Sequence, residues 1–125
     1  MRSVLIGILL TFGQGVHAQS WMSLSQRGEE NRFYIDTESI VSKDNVRRAT
    51  MLANYLQAQA NGVHSIKATV EFQCDEVQWR TIDRSYFEQP MAGGGPTLSE
   101  SGDGEWQAIE AETVAAFTLL AVCSP

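Results

Sequence analysis

The sequence predicts an α+β fold: an antiparallel β-sheet of about five to six strands with a C-terminal helix tied to it by a disulfide. Three observations predict it. Apolar and polar residues alternate from His64 to Cys74. Near the end of the chain the apolar spacing changes to three and four residues. The chain has two cysteines, and one falls in each of these segments.

The amino-terminal segment is set apart from the domain. Met1-Arg2-Ser3 precedes an apolar run from Val4 to Phe12, and Val16-His17-Ala18 supplies a small-residue cleavage site. A short positive region, an apolar core and such a site make a signal peptide. The run is too short for a bilayer span, which needs about 20 apolar residues. Cleavage is expected after Ala18, leaving one domain over residues 19–125 that is exported to the periplasm or secreted. No Cys stands at the end of the apolar run, so neither a lipid anchor on an amino-terminal Cys nor another stable membrane anchor is expected.

The clearest strand is the alternating one. His64, Ile66, Ala68, Val70, Phe72 and Cys74 form its apolar face, while Ser65, Lys67, Thr69, Glu71 and Gln73 form its polar face. This is the pattern of a half-buried antiparallel strand. Trp21–Ser25, Arg32–Asp36, Val46–Leu56 and Val77–Phe87 are further strand candidates. The last changes phase at Ile82 and Tyr86, which suggests a bulge. Turns are predicted at Arg27-Gly28-Glu29-Glu30-Asn31, Ser42-Lys43-Asp44-Asn45 and Asn61-Gly62, and a tight hairpin at 73–78 around Asp75-Glu76. Pro90 to Gly104 is rich in Gly, Pro and Ser and predicts a long loop. Its Gly93-Gly94-Gly95 lacks the Lys-Ser/Thr and helix start of a phosphate loop.

Ile109, Thr113, Ala116, Phe117, Leu120 and Cys123 line one side of the predicted terminal helix, with Glu110 and Glu112 at its positive end. Cys74 and Cys123 thus both face the core. In an exported chain they are expected to pair; two unpaired buried thiols or half of a metal site are the alternatives. A bridge closing about fifty residues stabilises a domain by about 4 kcal/mol on the chain-entropy model.

Removing residues 1–18 takes away Arg2 and leaves 107 residues, with eight basic against fifteen acidic side chains and a formal charge of −7. Such a balance disfavours nucleic acid and anionic membrane surfaces as partners. Positive charge still gathers in the central third, at Arg47, Arg48, Lys67, Arg80 and Arg84.

No catalytic constellation emerges. His64 is the one histidine of the mature chain, with no nucleophile or orienting partner nearby in sequence. The donor set is too small for zinc, no full calcium loop is present, and no metal or cofactor is called for. Trp79 and Tyr86-Phe87 could stack a planar ligand, although aromatic residues in strands are mostly core.

Ordered landmarks span nearly the whole mature chain: Trp21, Tyr34-Ile35-Asp36 with Ser39-Ile40, Tyr55, Ser65 through Cys74, Arg80, Ser85-Tyr86-Phe87, Trp106-Gln107-x-Ile109 and Cys123. In this series the chain resembles the surface-adhesin protein E-like family of small exported Gram-negative proteins. The resemblance implies a sheet of about six strands with a bridged terminal helix, and a non-enzymatic binding role. The namesake is a surface lipoprotein that binds host matrix proteins such as vitronectin and laminin. This chain departs from it in lacking the lipidation Cys. The expected partner is therefore a protein, from host matrix or periplasm, met by a monomer. The candidate binding residues are Lys67, Arg80 and Arg84 on the polar strand face, with the Pro90–Gly104 loop and His64. A carrier for haem or another planar molecule, using His64, is the alternative.

Overall fold

A computed structural model describes residues 19–24 and 31–124. The predicted signal peptide, and the predicted turn before Asn31, lie outside the described residues. The strands in chain order are β1 (Trp21–Ser23), β2 (Arg32–Asp36), β3 (Val41–Lys43), β4 (Val46–Asn54), β5 (Ser65–Gln73), β6 (Gln78–Phe87), β7 (Leu98–Ser101) and β8 (Gln107–Ala108), followed by the helix α1 (Val114–Cys123). All pairings are antiparallel, in the order β1-β2-β4-β5-β6-β7. β3 pairs with the start of β4, and β8 with the start of β6.

Among the described residues the sheet has eight strands rather than five or six. All five predicted strands are present. The three additional ones are short edge strands of three, four and two residues. Their side chains are exposed throughout, so no buried face stamps an alternation on their sequence. One of them, β7, lies within the stretch expected to be loop, as does a 3-10 turn over Pro90–Ala92. That turn is held to the sheet by Ser65, which is fully buried. Its hydroxyl donates to the Gln89 carbonyl at 2.7 Å and accepts from the Ala92 N–H at 2.8 Å. Asn54 Oδ1 accepts from the Met91 N–H at 2.6 Å. Gly102 approaches β6 so closely that a Cβ there would sit 2.3 Å from the Thr81 carbonyl oxygen. Only a residue without a side chain fits.

The predicted bulge is real. Thr69 faces Asp83 while Val70 faces Thr81, so Ile82 is the extra residue on β6. Because directly paired residues share a face, this insertion changes which β6 side chains point outward.

One sheet face carries Ile35, Ala49, Met51, Val70 and Phe72, and Val122 of α1 closes over them as the main core. Val114, Leu119, Cys123 and Trp79 pack around it, with the Phe72 and Trp79 rings stacked at 6.0 Å. Each such large apolar side chain, fully buried, stabilises the fold by about 1.5–3 kcal/mol. The Cys74–Cys123 disulfide closes the same end, with its Cα atoms 5.8 Å apart.

The helix differs from its expected form in start and face. It begins at Val114, with Thr113 as N-cap accepting from the Ala116 N–H at 3.1 Å. Ile109, Glu110 and Glu112 precede it. Its buried residues are Ala115, Thr118 and Val122, whereas Leu120 is 66% exposed. Thr118 can be buried because its hydroxyl donates to the Val114 carbonyl, at 2.7 Å.

Candidate functional site

The face of the sheet away from α1 carries an ionic array built by register. Arg48 on β4, Glu71 on β5 and Arg80 on β6 lie directly opposite one another across three adjacent strands. Arg48 donates from Nε at 3.0 Å and Nη2 at 2.8 Å to Oε2 of Glu71. Arg80 donates from Nε at 2.9 Å and Nη2 at 2.7 Å to Oε1. One carboxylate therefore joins two guanidinium groups, each oxygen taking one of them. Trp106, in the segment before β8, stacks under Arg80 with its ring centre 4.3 Å from the guanidinium carbon.

Glu71 is 7% exposed. Burial pushes its carboxyl pKa up, but the hydrogen bonds and charges of Arg80 and Arg48 outweigh it and hold the group below its ordinary value. The carboxylate is thus ionised at neutral pH.

The array borders an open cleft of about 470 Å³. The β3–β4 hairpin, which itself carries Arg48, adds Val41, Lys43, Asp44 and Val46 to the lining. The hairpin turns tightly at Asp44, whose φ of 56° a short polar side chain tolerates. The cleft combines apolar walls with three cations and two carboxylates.

Of the four predicted binding residues, the fold brings Lys67 and Arg80 to this outer face and separates the others from it. Lys67 pairs with Ser85 and lies 5.8 Å from the centre of the Phe87 ring. Arg84 pairs with Ala68 and stands on the helix-bearing face, because the bulge at Ile82 reverses the phase of β6 beyond it. There it lines an apolar trough of about 250 Å³ with Phe33, Ala53, Ile66, Ala68 and Val114. His64 immediately precedes β5; its backbone N–H donates to the Phe87 carbonyl at 2.7 Å and its carbonyl accepts from the Tyr55 N–H at 3.0 Å. It is half-buried and is not among the residues lining the trough.

Sequence reasoning missed Trp106 as the neighbour of Arg80, and Lys43 and Val41 as residues that line the same cleft. β3 was read as part of a turn, and Trp106 meets Arg80 only through the sheet edge. Among the described residues, no group of three or more His, Cys, Asp or Glu is placed to hold a metal ion. No helix among them is long and apolar enough to cross a membrane.

No curated protein matches the chain. Its fold is similar to that of Haemophilus influenzae protein E, with a TM-score of 0.61 at 13% identity over 91% of this chain and 90% of that one. A second crystal form of the same protein gives a TM-score of 0.57 at 14% identity, over 73% and 79% of the two chains. Protein E from non-typeable H. influenzae gives 0.54 at 14% identity, over 91% and 82%. At such identities the likeness concerns the fold. The family model for surface-adhesin protein E matches the sequence itself, from residue 21 to 124. The chain belongs to the surface-adhesin protein E family.

Proposed function

We propose that this chain is an exported, non-enzymatic binding protein that engages a protein partner through the outer face of its sheet. In this reading residues 1–18 are removed after Ala18, and the domain of residues 19–125 acts as a monomer in the periplasm or outside the cell. Its partners are host matrix proteins of the vitronectin and laminin kind. The observation that supports this best is the cationic cleft on the outer face. Arg48, Arg80 and Lys43 gather around it although the chain as a whole is acidic. Local charge of sign opposite to the whole protein favours a specific, oriented contact over general adsorption. Lys67 stands on the same face and extends it.

Solid-phase binding of the mature protein to vitronectin and laminin at physiological salt tests the proposal. Saturable binding is expected, weakened when Lys67 and Arg80 are both changed to Gln in a variant whose melting remains cooperative. Absence of a saturable signal with either protein overturns the matrix-binding reading. A loss seen only in Arg84→Gln would move the contact to the opposite face.

A further inference from the structure

The cleft itself indicates what kind of group it accepts. Arg48 and Arg80 each spend Nε and Nη2 on Glu71. A guanidinium has five N–H donors, so both retain donors beyond those Glu71 uses. Among the described residues, Nη1 of neither arginine meets a hydrogen-bond acceptor. The stacking of Arg80 on Trp106 and the shared anchor on Glu71 fix the two forks in place before any ligand arrives. Little side-chain entropy then remains to be lost on binding.

The charges around the cleft, Lys43, Arg48 and Arg80 against Asp44 and Glu71, leave one net positive charge. Val41, 56% exposed, and Val46 provide an apolar wall beside them. A chain of dense sulfates would meet one net charge and then an acidic surface. One carboxylate next to an apolar side chain matches both features of the cleft.

We infer that the cleft lined by the β3–β4 hairpin and the Arg48–Glu71–Arg80 array is a carboxylate subsite for an acidic protein segment. An Asp or Glu side chain of the partner takes free guanidinium donors of the array, Lys43 adds positive charge beside it, and a neighbouring apolar residue rests on Val41 and Val46. The inference rests on the protein-binding role proposed above and adds the chemistry of the segment recognised.

The test uses the mature protein and a blocked peptide with a Leu-Glu-Glu-Leu core, set against its Leu-Gln-Gln-Leu counterpart and a heparin hexasaccharide. Lys43→Glu and Val41→Asp alter the cleft without touching Glu71, so folding is preserved, and a melting curve checks it. Calorimetric titration at physiological salt should show saturable binding of the acidic peptide alone. Binding should weaken about fivefold or more in each variant, the scale of one partly screened charge. Equal binding of the two peptides, no binding of the acidic one, or unchanged binding in both variants overturns the inference. So does heparin binding that the variants abolish while the acidic peptide stays inert. Matrix binding that persists and ignores both variants removes this subsite but leaves the protein-binding role standing. A peptide bound as expected with no matrix binding does the reverse.

Discussion

Arg80 and Glu71 face each other across β5 and β6, with Nη2 2.7 Å from Oε1, and the same carboxylate holds Arg48 at 2.8 Å from Oε2. Three strands are thus pinned at one level by a single side chain. Because its pKa is lowered in the folded state, Glu71 contributes stability that is fully present above the unfolded value and lost as pH falls through the folded one. The ordinary carboxyl value is 4.5, so the loss lies below it. Melting temperatures should therefore fall as pH drops through and below that value. In Glu71→Gln the fall should be shallower, and at pH 7 the variant should be less stable by about 1–3 kcal/mol. Identical pH profiles for the two proteins would contradict this account.

Joining residues 49 apart, the Cys74–Cys123 bridge restrains the unfolded chain strongly. Replacing both cysteines by Ser should lower stability by about 4 kcal/mol. Chemical denaturation measures the total. Hydrogen exchange should show α1 losing protection before β4 and β5, since the bridge is the helix's covalent tie to the sheet and no strand ladder holds it.

Ser65→Ala removes the donor to Gln89 and the acceptor for Ala92 in a fully buried position. A cost of about 1–3 kcal/mol is expected. The loss should localise: limited proteolysis ought to open residues 89–92 while the Val70–Phe72 core stays intact.

Val77, between β5 and β6, has a φ of 54°, a conformation that β-branched residues resist. Its side chain is 43% exposed, so little packing compensates. Val77→Asn should stabilise the protein by about 1 kcal/mol, seen as a higher melting temperature. A decrease would mean that the side chain packs more usefully than its exposure implies.

How far the sequence could be read follows from where burial is one-sided. β5 alternates because one face meets the Val122 side of α1, and its limits were predicted within one residue. The helix was harder. Apolar side chains stand on every side of Val114–Cys123, so periodicity cannot choose between Leu120 and Val122 as the buried one. Thr118 reads as polar and is buried because its hydroxyl finds a backbone partner within the helix. At the candidate site the phase change at Ile82 was visible, but its effect on Arg84 depends on the register of β6 against β5. Lys43 and Arg80 line one cleft only through the pairing of β3, β4, β5 and β6, which links residues too distant for any local pattern.

The bridge also decides how the domain would carry a mechanical load. Tension entering before Cys74 and leaving after Cys123 passes directly through the sulfur atoms. The backbone of β6, β7, β8 and α1 lies inside the closed ring and is not stretched by it. Such a pull would strip β1 to β4 from the edge of β5, hydrogen bond by hydrogen bond. The hairpin wall of the cleft would be lost early, while Arg80 and Trp106 stayed in place. A contact made across the cleft would then yield under force before the covalently closed half of the domain did.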